Sequence, residues 1–174
     1  MRASTWRPGC PVPLQSLRRL RLRHVRPDGS VGEGELIVAA TFAEPLRKVF
    51  ARLYRHRFPI TSIRPMHGFA GSDDASMDVD NTSAFNCRPV TGGKGWSEHS
   101  YGRAIDINPL RNPYLRGALV LPAAGKGWTA RSPVRPGMIV EDGPVVGAFA
   151  AIGWSWGGHW QRPVDLQHFS STGR

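Results

Sequence analysis

Ser97-Glu98-His99-Ser100-Tyr101-Gly102-Arg103-Ala104-Ile105-Asp106 is the stretch from which the rest of the chain is read. It sets His99 and Asp106 seven positions apart across a glycine turn, with a short strand expected over 104–107. Downstream lie two more clusters, Trp154-Ser155-Trp156-Gly157-Gly158-His159-Trp160 and Asp165-Leu166-Gln167-His168-Phe169. Between them and the first cluster runs a Pro- and Gly-rich stretch, 109–137, then a short helix over 144–152 with Pro144 in its first turn and Gly153 as its stop. Val164 to Phe169 reads as the closing strand.

Upstream, residues 1–16 read as an extended arm punctuated by proline. Leu17 to Val25 alternates as a strand does, Pro27-Asp28-Gly29 turns the chain, and Glu35 to Ala40 is a second strand. Phe42, Leu46, Val49, Phe50, Leu53 and Phe58 recur at helical spacing, so a helix is expected over 42–57. Ile60 to Arg64 reads as a further strand and 68–82 as a long loop of the kind that carries function. The 174 residues suffice for one domain, and 20 Gly with 15 Pro argue against a helical bundle. The expected fold is a single α+β domain, a small antiparallel sheet with flanking helices, over 17–174.

Twenty of the 23 basic residues are Arg, and with 13 acidic residues the net charge is +10. That charge attracts polyanions without choosing among nucleic acid, anionic lipid and anionic wall. The dense basic run, Arg18 to Arg23, alternates like a strand and lacks the interleaved aromatics of a nucleic-acid platform, so no nucleic-acid partner is expected. The longest apolar runs fall far short of the ~20 residues of a membrane helix, and no membrane span is expected. The first fifteen residues have no apolar core and do not read as a signal peptide. Cys10 and Cys87, 77 apart, are either two buried thiols or one disulfide in an oxidising compartment.

A catalytic zinc needs three protein ligands and a fourth position for water, and His99, Asp106 and His168 offer N, O and N. A carboxylate beside that water takes its proton, and Asp165 is the candidate. Positions three apart on a regular strand face opposite ways, so Asp165 and His168 converge only if the chain bends between them. His24, His56 and His67 fit ordinary surface or core positions.

SEHSYGRAIDINP (97–109) together with GWSWGGHWQRPVDLQHF (153–169) resembles the zinc D-alanyl-D-alanine carboxypeptidases and L-alanyl-D-glutamate endopeptidases of bacterial and phage cell-wall peptides. The pattern S-x-H-x-x-G-x-A-x-D is filled by Ser97, His99, Gly102, Ala104 and Asp106, and the later Asp-x-x-His by Asp165 and His168. Asn81 to Arg88 and Trp6 to Pro11 also look like the endopeptidase branch, so the resemblance spans 6–169. It implies a hedgehog-like fold, a Zn2+ cofactor held by His99, Asp106 and His168, and Asp165 as general base. It implies Arg88 as the guanidinium that polarises the scissile carbonyl or holds a substrate carboxylate, with Ser83 as a substrate contact. His159 stands where many relatives carry Asp, as a substrate-contacting group, a support behind a ligand or a competing ligand. Trp154, Trp156 and Trp160 are expected in the core and cleft wall, and the resemblance favours a Cys10–Cys87 disulfide. The implied protein is a monomeric, secreted or wall-located peptidase of peptidoglycan peptides, a phage lysin included. The rival reading is a non-catalytic zinc-containing wall-binding module, which has no need of a base at Asp165.

Overall fold

Leu20, Leu22 and His24 alternate with Arg19, Arg21 and Arg23, and that alternation builds the first element pair. Strands β1 (Leu17–Val25) and β2 (Val31–Ala39) form an antiparallel hairpin, Leu17 opposite Ala39 and Val25 opposite Val31. The Asp28 carboxylate accepts from the Ser30 amide at 2.9 Å and closes the turn. Helix α1 (Ala43–Arg55) lays Leu46, Val49, Phe50 and Leu53 onto Leu20, Leu22, Leu36 and Val38 of the hairpin. Each such side chain contributes roughly 1.5–3 kcal/mol on burial, so this face holds the hairpin and helix together. A computed structural model describes residues 5–90 and 93–174.

The expected strand over 60–64 is reduced to β3 (Ser62–Ile63), which pairs in parallel with β4 (Asn81–Thr82). The segment read as a loop, 68–82, is instead partly regular. It carries α2 (Asp73–Asp78), capped by the Ser72 hydroxyl accepting from the Ala75 amide, and then β4. The Pro- and Gly-rich stretch 109–137 also hides structure, the hairpin of β6 (Tyr114–Arg116) and β7 (Leu119–Leu121). Three-residue strands are too short for alternation to register in sequence, which is why both were missed. The helix expected at 144–152 is present as α3 (Pro144–Ala150), and β5 (Ala104–Asp106) lies within the strand expected there.

Val164 to Phe169 is not one strand. The chain splits into β9 (Val164–Asp165), paired with β6, and β10 (His168–Ser170), which lies between β5 and β8 (Ser155–Trp156). The described residues thus form an α+β unit of four small sheets, three antiparallel and one parallel. In the β5–β10 register Phe169 faces Ile105 and His168 faces Asp106. Phe169 is fully buried, its ring stacked 4.1 Å from Phe149. Alternation along β10 and β5 then turns His168 and Asp106 to the other side, away from this core.

The first four residues of the expected arm lie outside the described residues. Its remainder packs Trp6, Val12 and Leu14 against Leu17, Ile37 and Phe85. Cys10 and Cys87 are joined as a disulfide across 77 positions, a cross-link worth on the order of 4 kcal/mol in chain-entropy terms. Among the described residues no helix is long and apolar enough to cross a membrane.

Candidate metal centre

Ser97 opens the turn that presents the first ligand. Its hydroxyl accepts from the His99 amide at 3.3 Å, and a single 3-10 turn, Glu98–Tyr101, follows. Gly102 ends that turn at φ +67°, and a Cβ there would sit 2.6 Å from the Ala39 amide nitrogen, so glycine is required. The chain then enters β5 with Ala104 and Ile105 in the core and Asp106 at its end. Ser83 holds Asp106 in place from the far side through two backbone hydrogen bonds of 3.0 Å.

These elements bring His99, Asp106 and His168 together. One ligand atom from each lies within 4.8 Å of the others. Asp106 stands between the imidazoles, Oδ2 at 3.2 Å from His99 Nε2 and Oδ1 at 2.9 Å from His168 Nδ1. The outer nitrogen of each ring is already used. His99 Nδ1 donates to the Ala84 carbonyl at 2.6 Å, and His168 Nε2 donates to the Arg174 carbonyl at 3.0 Å. The two inner nitrogens therefore turn toward each other and a carboxylate, an arrangement that fits a shared cation. Metal-ligating histidines commonly use their second nitrogen in this way. The donor set N, O, N matches a catalytic zinc site with a position left over.

Electrostatics agree with that fit. Burial pushes the Asp106 carboxyl up, but His99 and His168 outweigh it and hold the group well below the usual carboxylate range. Burial pushes His168 down, yet its bond to Asp106 and the charges of Asp106 and Asp165 prevail, raising it to about 9. Without metal, His168 therefore carries a proton at pH 7. That pairing stabilises the metal-free fold fully below the unfolded value of 6.5 and is lost as pH rises through about 9. A metal bound at His168 Nδ1 would have to displace that proton, so loading with zinc at pH 7 is expected to release about one proton and affinity to climb with pH. Calorimetry of zinc binding in buffers of different ionisation enthalpy reads this directly, and zero release contradicts the assignment of His168 Nδ1 as ligand.

The triad opens onto a cleft of about 1000 Å³ that Asp165, Arg88, Ser83 and Trp160 also line. The bend between β9 and β10 solves the facing problem. Asp165 pairs with Tyr114 on one sheet and His168 with Asp106 on another, and the two converge on one cavity. Gly157 allows it, because a Cβ there would lie 2.6 Å from the Asp165 carbonyl oxygen and 3.3 Å from His168 Cβ. Asp165 Oδ1 is buried without a hydrogen-bond partner. Burial pushes its carboxyl up to about 6, against the pull of His168.

Arg88 is held by an ion pair with Asp73 of α2, whose other oxygen accepts from Asn86 Nδ2 at 2.8 Å. Asp73 escaped the sequence reading; Ser72 followed by two acidic residues was the helix-start signal that would have found it. Trp154 and Trp156 are core, while Trp160 packs its ring 5.4 Å from His168. His159 stands elsewhere: its side chain is half exposed and its Nε2 meets Glu141 Oε2 at 2.7 Å, not the cleft. Among the described residues it belongs to no group that could hold an ion.

No curated protein and no solved structure matches the chain. Residues 91–171 match the family described as D-alanyl-D-alanine carboxypeptidase, and the matched stretch holds all three converging ligands and Asp165. Over this stretch, just under half of the chain, the sequence that builds the centre is similar to that peptidase family.

Proposed function

We propose that the protein is a zinc-dependent peptidase that hydrolyses peptide bonds of peptidoglycan stem peptides, as a D-Ala-D-Ala carboxypeptidase or an L-Ala-D-Glu endopeptidase. The observation that carries this reading is the half-buried Asp165 carboxylate, whose Oδ1 is buried without a hydrogen-bond partner and which lines the same cleft as the His99–Asp106–His168 triad. A scaffold that merely holds an ion has no use for a desolvated carboxylate beside it, and leaving one there costs stability. The hedgehog-like scaffold and a monomeric, exported or wall-located protein go with this reading.

His99, Asp106 and His168 would hold a zinc ion, which when bound would supply Lewis acidity and acidify a water toward a pKa of about 7. Asp165, raised by burial, takes the proton from the attacking water and delivers it to the leaving amine. Arg88, steadied by Asp73, offers its remaining N–H groups to the carbonyl oxygen or to a substrate carboxylate. Ser83 fixes Asp106 through its backbone and leaves its side chain on the cleft wall. Trp160 covers the His168 ring on the cleft side.

Mass spectrometry of products from zinc-loaded protein with a UDP-muramoyl pentapeptide and with whole peptidoglycan tests the reading. Loss of one D-Ala identifies the carboxypeptidase, and peptides beginning at D-Glu identify the endopeptidase. Zinc bound with no product from either substrate favours the non-catalytic wall-binding module.

A further inference from the structure

The positive charge of the chain is not spread evenly. Residues 17–57 hold ten basic residues and four acidic ones, so this segment carries 10 − 4 = +6 of the total +10. Among the described residues only Arg19, Arg21 and Arg47 of the ten have a carboxylate partner, and Arg19 and Arg21 share Glu35. Alternation puts Arg19, Arg21 and Arg23 on the outward face of β1, the face opposite α1 and the core. The stripe continues round the strand edge, where the Arg23 guanidinium lies 5.7 Å above the Tyr54 ring of α1. Arg47 shares that flank of α1 with Tyr54, seven residues along the helix, and Arg55 is exposed beside it.

None of the residues lining the cleft lies between 17 and 57. The basic surface and the metal centre are therefore separate, and a ligand on one leaves the other open. The surface has no fully exposed Phe, Tyr or Trp ring for stacking bases, and Val31 is its one large exposed apolar side chain. It lacks what a nucleic-acid platform or a membrane-inserting face needs. What it offers is a row of guanidinium forks, suited to phosphate oxygens spaced along a chain.

We propose that the outward face of the β1–β2 hairpin and the adjoining flank of α1 dock a phosphodiester-linked anionic polymer of the cell wall, independently of the cleft. The choice of a wall polymer rests on the peptidase reading above; the surface itself does not. Docking there concentrates the enzyme where its peptide substrates are dense, without occupying the cleft.

The test measures binding of zinc-loaded full-length protein to purified poly(glycerol phosphate) teichoic acid across a salt series. The comparison variant combines Arg21→Gln, Arg23→Gln, Arg47→Gln and Arg55→Gln, all exposed positions. Each lost cation lowers the slope of log affinity against log salt by about 0.7–0.9, so the variant slope drops by about 3 and affinity falls at least about tenfold. Hydrolysis of a soluble stem peptide stays within about twofold, because the cleft is untouched. A second variant with Lys at the same positions retains most of the binding and guards against a folding artefact. No binding by the wild type, or equal binding by the Gln variant, overturns the proposal. So does equal or tighter binding to poly(dT) or to phosphatidylglycerol vesicles. Failure of the wild type to cleave any stem peptide refutes the peptidase reading, and the binding series still decides the surface.

Discussion

Asp165→Asn is expected to lower the turnover of a soluble stem peptide by about 10²–10⁴-fold while zinc stays bound. The amide keeps the size of the side chain but cannot accept a proton from water or return one to the leaving amine. Asp165 is absent from the group of converging ligands, so the metal content is expected to survive. The metal-free variant should melt no lower than the wild type, because the change removes a desolvated carboxylate whose Oδ1 has no partner. That combination separates a base from a structural residue, which would lower stability and activity together. With its carboxyl raised to about 6, Asp165 is in base form above that pH, and the rate falls as pH drops through it. Bound zinc draws the carboxyl down, so the acid limb of the rate profile is expected at or below about pH 6. Unchanged turnover in the asparagine variant, measured at saturating zinc, refutes the role. Loss of zinc with the turnover assigns Asp165 to the ligand set instead.

Asp106→Ala carries the second large effect, on stability. Zinc at a thousand times its Kd stabilises the wild type by about 4 kcal/mol. For a chain of this size that corresponds to a rise in Tm of roughly 8–16 °C. Asp106 is the proposed ligand that stands between both imidazoles, and its removal leaves two nitrogens without the anion that would offset a divalent charge. The expected result is no zinc-dependent rise in Tm and no hydrolysis. The metal-free variant also loses the partner that holds His168 protonated, and breaking such a buried pair costs about 3–5 kcal/mol. Differential scanning calorimetry with and without zinc reads both effects. A variant that still gains several degrees on adding zinc contradicts Asp106 as a ligand.

The hairpin and α1 were legible because long elements repeat their period often enough to be seen. Leu20, Leu22, Leu36 and Val38 meet Leu46, Val49, Phe50 and Leu53 as their spacing demands. The proposed metal ligands were legible for a different reason. The Ser97-to-Asp106 motif is local, and each position has a steric or hydrogen-bonding task within ten residues: a capping hydroxyl, a glycine at φ +67°, a buried alanine. The brief strands β6 and β7 were not legible, being three residues each, with β6 finding its second partner β9 up to 51 residues away, and α2 had no more than the Ser72 start signal to show it.

His99, Asp106, His168 and Asp165 were thus determined by the sequence itself, as residue types at characteristic spacings. Their convergence was decided only by tertiary structure. A strand-periodic reading puts Asp165 and His168 on opposite faces, and the transfer of the chain from the β6 sheet to the β5 sheet between them reverses that. The same holds for Arg88, whose guanidinium is aimed by Asp73 from a helix that sequence periodicity did not reveal. His159 makes the opposite case: adjacent in sequence to cleft residues, it is turned by the Gly157–His159 turn toward Glu141. Spacing along a chain constrains which side chains are near one another only within one element. Between elements, direction is set by strand register and by the bends that packing permits.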